Sequence, residues 1–157
     1  GYGISIAVEI EGEVTIGVVH DPTHGERFNA VRGRGATRNG EAITVSAETE
    51  LGSALVATGF GYEPQQRVAQ AEVLRGVIGS IRDIRRMGAA AVDLCSVACG
   101  RVDAYYERGL NHWDLAAGSL IAAEAGATLG ELADGTVIAA PPALYADLRA
   151  ALAESVT

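Results

Sequence analysis

Regular alternation of apolar and polar residues opens the chain. Apolar residues occupy every second position of Ile4-Ser-Ile-Ala-Val-Glu-Ile10, and the same period returns between Val14 and Val18. A period of two is typical of a β-strand with one buried face. The two runs are separated by a glycine-containing turn, so residues 2–20 are predicted to form a β-hairpin.

The antiparallel pattern continues for another 25 residues. A strand is predicted over 26–32, and Asn39-Gly40 is the dipeptide typical of a two-residue hairpin turn before a short strand at 42–45. From there the chain alternates strand-like and helix-like segments. The predicted strands are 53–58, 82–86, 102–107 and 136–140, and the predicted helices are 64–78, 87–100, 111–126 and 142–154. This order predicts a layered α/β sandwich whose apolar helices are covered on both sides. The connection through 130–135 looks short, as though residues were missing there.

The segment 111–126 is apolar around almost its whole circumference, as expected of a buried helix. Asn111 is the predicted N-cap, and Asp114 then occupies the third helical position of a capping box. Two interpretations of this acid remain open. It can complement the helix dipole, or it can act as a ligand for a hard cation such as Mg²⁺.

Composition and charge restrict the partners. The chain has 157 residues, the length of one ordinary domain, and a net charge of −8. Nucleic-acid binding needs a basic face, and the one local basic cluster is Arg82, Arg85 and Arg86. No apolar run approaches the roughly 20 residues that span a bilayer. We therefore expect a small-molecule partner, with no nucleic acid and no membrane. A phosphorylated molecule remains acceptable if a metal supplies positive charge.

Two further groups of polar residues are interpreted as structural. Cys95 and Cys99 share a face of a predicted helix, but two thiols make neither a zinc site nor a disulfide framework. They are expected to be small core residues in a reducing cytoplasm. His20, Asp21 and His24 lie in a predicted turn, and nothing near them in the sequence completes a metal-ligand set.

Several longer motifs resemble the inositol monophosphatase family, which comprises metal-dependent, lithium-sensitive phosphomonoesterases. The resemblance covers almost the whole chain, in matching order and spacing. The motifs are Trp113-Asp114-Leu-Ala-Ala-Gly118, Glu124-Ala-Gly126, Asp103-Ala-Tyr-Tyr-Glu107, Gly88-Ala-Ala-Ala-Val-Asp-Leu-Cys95, Gly17-Val-Val-His-Asp-Pro22 and Gly33-Arg-Gly-Ala36.

This resemblance implies an αβαβα sandwich, a cytoplasmic homodimer, and Mg²⁺-dependent hydrolysis of a small sugar or polyol phosphate, with inositol 1-phosphate as the expected substrate. Asp114 would be the metal ligand and hence the catalytic residue, with Trp113 helping to set its position. Glu107 would bind substrate hydroxyls. The backbone of Gly88, Ala89 and Ala90 would contact the sugar ring.

The sequence departs from the family in one respect. The family's Gly-Glu-Glu element and its Asp-Pro-x-Asp-Gly-Thr loop, which supply most of the metal ligands, do not occur in these residues, and Asp21-Pro22 is followed by Thr23-His24. We therefore expect residues 1–157 to be a single region, the C-terminal portion of a longer enzyme, without a complete site of its own. Two alternatives remain: a related phosphatase acting on histidinol phosphate or a similar metabolite, and a non-catalytic truncated paralogue that acts in dimerisation or regulation.

Overall fold

A computed structural model describes residues 1–155. Its first sheet is antiparallel throughout, with five strands paired in chain order. The β1–β2 hairpin pairs Ile4 with His20 and Ile10 with Glu13, as the alternation predicts. The strands are β1 (Ile4–Ile10), β2 (Glu13–Asp21), β3 (Glu26–Val31), β4 (Ala36–Arg38) and β5 (Glu41–Ile43). Asn39 and Gly40 both have positive φ, which confirms the predicted turn.

The second sheet is mixed and has the order β7-β6-β8-β10-β9. β6 runs parallel to both β7 and β8, whereas β10 is antiparallel to β8 and β9. The carboxyl ends of β6 and β8 therefore meet at one edge. The strands are β6 (Leu55–Thr58), β7 (Asp83–Arg85), β8 (Ala104–Arg108), β9 (Thr128–Glu131) and β10 (Thr136–Ala140).

Four helices complete the layers: α1 (Pro64–Val77), α2 (Ala90–Ala98), α3 (His112–Glu124) and α4 (Pro142–Ser155). Residues of α2 and α3 share a core with the first sheet, and α2 also packs on the second sheet. α1 and α4 cover the opposite face of the second sheet. None of the helices within residues 1–155 is long and apolar enough to cross a membrane. The predicted sandwich of the family's type is confirmed, since its β-α-β-α layers are present.

The outer face of the first sheet is covered by no helix within residues 1–155. Alternate residues of β1 are 42–57% exposed there, although they are the apolar positions of the strand: Ile4, Ile6, Val8 and Ile10. Their partners on the other side of the sheet, such as Val19 and Phe28, are buried against α2 and α3. The period-two pattern thus correctly predicts the strand, but not which face is covered.

Two predicted boundaries differ from the structure. α2 begins at Ala90 and not at residue 87, because Gly88 has φ +88°, outside the right-handed helical region. The connection through 130–135, which looked short in the sequence, is a hairpin turn in the structure. β9, which the sequence analysis did not predict, forms a hairpin with β10, and its turn is closed by bonds from Leu132 N to Thr136 O and from Gly135 N to Leu132 O.

α3 packs unusually close to its neighbours because small residues lie at the contacts. A Cβ on Gly17 of β2 would stand 2.8 Å from the carbonyl oxygen of Ala117, and one on Gly118 would stand 3.0 Å from two carbons of Leu94 in α2. With β2 on one side and α2 on another, α3 has apolar neighbours around most of its surface. This explains why its sequence lacks a polar face.

The prediction that the two cysteines form no disulfide and pack as core residues is confirmed for Cys95. Cys95 is fully buried in the core beside α3, and Cys99 is half-buried; both are free thiols. Burial raises the pKa of Cys95 well above its usual range, so its thiol stays protonated.

Candidate active site

The predicted site residues lie where β8 ends and where α2 and α3 begin. Glu107 is the penultimate residue of β8, Asp114 lies in the first turn of α3, and Gly88, Ala89 and Ala90 lead into α2. All of them are half-buried. Because α2 and α3 pack side by side, three sequence-distant segments come together at one end of the sandwich.

Asp114 caps its own helix, as predicted. Its Oδ2 accepts a hydrogen bond from the Asn111 backbone N–H at 2.9 Å, and its own N–H donates to the Asn111 carbonyl at 3.0 Å. Oδ1 makes no hydrogen bond to any of residues 1–155. Burial raises the pKa of Glu107, and the negative charge of Asp114 adds to the rise, so the two carboxylates lie within electrostatic range of each other. Capping and a ligand role are therefore compatible, because they use different oxygens.

Glu107 is held from two sides. The Tyr105 hydroxyl donates to its Oε2 at 2.7 Å, and its carboxylate occupies the space that a Cβ on Gly59 would need. Burial raises the pKa of Glu107; the Tyr105 bond and the Arg86 charge oppose the rise, and Asp114 adds to it. A fixed carboxylate of this kind is a good acceptor for alcohol hydroxyls.

The turn before α2 presents backbone groups. Gly88 adopts positive φ, and Nη1 of Arg86 lies where a Cβ at residue 88 would stand. Ala89 is the N-cap, and its carbonyl accepts the N–H groups of Val92 and Asp93, each at 2.9 Å. The first N–H groups of a helix lack intrahelical partners and carry positive partial charge. Together with the Arg86 guanidinium, they favour oxygen-rich ligands at this turn.

Asp93 belongs to the same region and was not singled out from the sequence. It lies in the first turn of α2, is completely inaccessible to solvent, and has no hydrogen-bond partner for either oxygen among residues 1–155. Burial raises its pKa to about 7, and the charge of Glu107 contributes. An acid within the run Ala90–Ala98, where Ser96 is the one other polar residue, is the sequence signal that could have identified it.

Two other sequence interpretations can be placed in the structure. Trp113 is 72% exposed, so its side chain does not pack into the core beside Asp114. Ligand atoms of Asp21, His24 and Glu26 lie within 4.8 Å of one another, whereas the Nδ1 of His20 pairs with the Glu26 carbonyl oxygen at 3.0 Å.

The ligand atoms of Asp21 and Glu26 already have partners within the protein. Asp21 accepts bonds from the Thr23 N–H at 2.9 Å and from the His24 ring at 2.6 Å. The Glu26 carboxylate pairs with Arg101 at 2.7 Å. These contacts are those of a closed turn, which agrees with the structural interpretation of the segment.

Asp114 fits Mg²⁺ chemically, since its free carboxylate oxygen is a hard donor. Mg²⁺ requires several oxygen ligands in near-octahedral geometry. Asp114 supplies one. Glu107 lies within electrostatic range of Asp114, but its Oε2 accepts the Tyr105 hydroxyl and its carboxylate lies against Gly59. Within residues 1–155 this site thus offers part of a metal-binding set.

A cavity of about 320 Å³ adjoins Glu107 on the α1 side of the second sheet. It opens between the carboxyl ends of β6 and β8 and the first half of α1. Its walls include the side chains of Thr58, Gln66 and Tyr106.

A layered α/β sandwich with carboxylates and helix N-termini gathered at one end is the architecture of sugar-phosphatase-type proteins. The comparisons with known proteins agree. The profile of the inositol monophosphatase family matches residues 1–156. The chain therefore belongs to the inositol monophosphatase family.

Individual relatives show how much of a related protein's length this chain covers. Inositol-1-monophosphatase of Mycobacterium bovis is 44% identical in an alignment of 161 positions, which covers 96% of this chain and 56% of that protein. Nus factor SuhB of Haemophilus influenzae is 41% identical over 148 residues, 89% of this chain and 55% of that protein. The solved structure of Mycobacterium tuberculosis SuhB matches with a TM-score of 0.91 and 43% identity, covering 98% of this chain and 64% of that one. The chain spans about half the length of the curated relatives it matches.

Proposed function

We propose that this chain forms the substrate-recognising part of a Mg²⁺-dependent phosphomonoesterase that hydrolyses a small sugar or polyol phosphate, with inositol 1-phosphate as the first candidate. The observation that supports this most directly is that Glu107 at the end of β8, Asp114 in the first turn of α3 and the start of α2 lie at the same end of the sandwich, with the two carboxylates within electrostatic range. The family membership and the relatives named inositol-1-monophosphatase support the same reaction.

We assign the residues the following roles. Asp114 offers Oδ1 to Mg²⁺ while Oδ2 caps α3, and it is the catalytic residue in that sense. Glu107, fixed by Tyr105, accepts hydrogen bonds from hydroxyls of the polyol. The backbone of Gly88, Ala89 and Ala90 contacts the ring from the N-terminus of α2. Bound Mg²⁺ supplies an activated water and neutralises phosphate charge. Water adds to phosphorus, the P–O bond to the polyol breaks, and the products are the free polyol and inorganic phosphate.

The remaining proposals rest on the family resemblance. The region 1–157 would belong to a longer, cytoplasmic, homodimeric enzyme whose other metal ligands lie in the Gly-Glu-Glu and Asp-Pro-x-Asp-Gly-Thr motifs. Sequencing upstream of the codon for Gly1 tests this directly. A reading frame that continues into both motifs supports the enzyme, and a native start at Gly1 contradicts it.

There are two alternatives to this proposal: a related phosphatase with another substrate, and a non-catalytic protein that acts in dimerisation or regulation. Glu107 and the three backbone groups are too few contacts to specify one particular substrate ring. Histidinol phosphate and related metabolites therefore remain candidate substrates. Relatives named Nus factor SuhB give weight to a regulatory role through a partner. The net charge of −8 argues that such a partner would be a protein and not a nucleic acid.

The deciding experiment is a panel of metabolite phosphates assayed with the product of the complete reading frame. Phosphate release should require Mg²⁺, respond to Li⁺ and be fastest with inositol 1-phosphate. Faster release from histidinol phosphate would favour the related phosphatase. No release from any ester with Mg²⁺ present would leave the non-catalytic partner as the better proposal.

A further inference from the structure

The cavity beside Glu107 lies where the topology of the second sheet favours a ligand. β6 and β8 are neighbouring parallel strands, and the chain leaves them in opposite directions. β6 leads to α1 on one face of the sheet, and β8 leads to α3 on the other. The two connections therefore separate and open a crevice at the carboxyl ends of the strands, which is where ligands of α/β proteins commonly bind. The cavity of about 320 Å³ occupies this crevice, and its size lies within the usual range for small-molecule sites, about 300–1,000 Å³.

Glu107 connects this cavity with the proposed active site. Its carboxylate fills the space beside Gly59, in the loop that follows β6. The same residue forms part of the cavity wall. A polyol ring that is hydrogen-bonded to Glu107 therefore has the cavity next to it, on the α1 side. A substituent on a neighbouring carbon of that ring extends into the cavity.

α1 turns one face towards the cavity. That face consists of Gln66, Ala69, Gln70 and Val73, which are three or four residues apart and so lie on one side of the helix. The side-chain amide of Gln66 has no hydrogen-bond partner within residues 1–155, so it is available to a ligand. Ala69 and Val73 add a small apolar patch beside it. The wall thus combines a free amide with carbon surface.

Gln70 ties together the two sides of the opening. Its Oε1 accepts the backbone N–H of Gly61, in the loop between β6 and α1, at 2.8 Å. Its Nε2 donates to the carbonyl oxygen of Arg108, the last residue of β8, at 3.1 Å. Both ends of the amide are therefore occupied by protein groups, and the cavity is formed before any ligand enters it.

The charges around the cavity exclude an anion. Arg108 is the one cationic residue in the part of the wall that residues 1–155 form, and its guanidinium pairs with the Asp134 carboxylate at 3.4 Å. Glu107 adds negative charge. A second phosphate group would therefore find no free positive partner. Hydroxyl groups, which both donate and accept hydrogen bonds, match the Gln66 amide and the Glu107 carboxylate.

We propose that this cavity is a subsite for a second sugar ring, and that the substrate is a glycosylated polyol phosphate. Hydroxyls of the uncharged glycosyl ring bind the amide of Gln66, and its C–H groups pack on Ala69 and Val73. The polyol ring that carries the phosphate stays on Glu107. This inference rests on the proposed function and narrows its substrate class.

The first test needs neither metal nor turnover. Saturation-transfer difference NMR is recorded on the product of the complete reading frame with galactosyl-inositol, an uncharged two-ring compound. We expect protons of both rings to receive saturation from the wild-type protein. In Ala69→Phe, where a bulky side chain fills the cavity, the galactosyl protons should lose most of their saturation relative to the inositol protons. Ala71→Phe is the matched control, since Ala71 is an exposed residue of the same helix outside the cavity wall.

Each outcome of this test decides the proposal. A galactosyl signal that falls in Ala69→Phe and persists in Ala71→Phe supports the subsite. Saturation confined to the inositol ring, no saturation of either ring, or a galactosyl signal that responds equally in both variants overturns it. Gln66→Ala gives a second reading without added bulk: it should also weaken the galactosyl signal, and an unchanged signal contradicts the role of that amide.

The second test uses the proposed reaction and adds the phosphate ester of galactosyl-inositol to the substrate panel. Inositol 1-phosphate stays the preferred ester without a substituent. The glycosylated ester should have a kcat/KM roughly tenfold higher, the equivalent of one or two hydrogen bonds between neutral groups. Ala69→Phe should abolish this preference, and Ala71→Phe should keep it.

The failure of the subsite and that of the proposed function give different results. Slower hydrolysis of the glycosylated ester by the wild-type protein, or a preference that survives in Ala69→Phe, overturns the subsite while the phosphatase stands. If no ester is hydrolysed, the proposed function fails, and the NMR result still decides whether the cavity binds a sugar ring.

Discussion

Gly17→Ala is the substitution for which the fold makes the sharpest prediction. Gly17 is buried in the middle of β2, where it pairs with Ala7 and Ala30. A Cβ there would stand 2.8 Å from the carbonyl oxygen of Ala117 and 3.1 Å from its Cα, whereas ordinary contact begins at 3.4 Å. Both atoms belong to the backbone of α3, so no side-chain rotation relieves the overlap. β2 and α3 must separate by about 0.6 Å.

The expected cost follows from this separation. Overpacking of a close-packed core costs about 1–3 kcal/mol, and a backbone obstacle favours the upper part of that range. Alanine also lowers the conformational entropy of the unfolded chain, which offsets about 0.4–1 kcal/mol of that cost. Gly17→Ala should therefore lower the free energy of unfolding by about 2 kcal/mol, which corresponds to a decrease in Tm of roughly 4–8 °C for a chain of this length.

Urea unfolding followed by circular dichroism measures the effect. Gly52→Ala is the matched control, since a Cβ at Gly52 has no neighbour within 4 Å, and it should stay within about 0.5 kcal/mol of wild type. Equal stability of the two variants would refute the close packing of α3 on β2. Because α3 also carries Asp114, Gly17→Ala should speed amide hydrogen exchange at the start of that helix as well.

Three further predictions concern the site. Asp114→Asn in the complete enzyme should abolish Mg²⁺-dependent phosphate release and leave the unfolding curve nearly unchanged, since an amide can still accept the Asn111 bond; full activity would contradict the ligand role. Glu107→Gln should weaken hydrolysis of polyol phosphates more than that of a simple aryl phosphate, and equal losses on both would argue against hydroxyl recognition. Asp93→Asn should stabilise the chain by up to about 4 kcal/mol at pH 8 and by almost nothing near pH 4. The reason is that burial raises the pKa of Asp93 from 3.8 to about 7, so stability is lost as pH rises through that window. A pH-independent difference in urea unfolding would show that Asp93 is not the titrating group.

Local patterns predicted the elements because each is decided by near neighbours along the chain. The alternation from Ile4 to Ile10 is compatible with a strand only, and Asn39-Gly40 accepts the positive φ that its turn requires. Asn111 and Asp114 satisfy each other's backbone groups within one helical turn. The family motifs indicated which carboxylates to examine, and Glu107 and Asp114 lie within electrostatic range of each other; their roles stay predictions.

Tertiary structure decided what depends on residues far apart in sequence. Whether the acid at position 93 is solvated or enclosed depends on the packing of α2 between two sheets, and its pKa depends on Glu107, which arrives from β8. The exposure of Trp113 and the pairing of β9 with β10 are likewise set by contacts that no local pattern contains. The sequence by itself determined helices, strands, turns and candidate ligands, because hydrogen bonding and capping are local. Burial and electrostatic coupling arise only when the layers assemble, because both depend on contacts between segments far apart in the sequence.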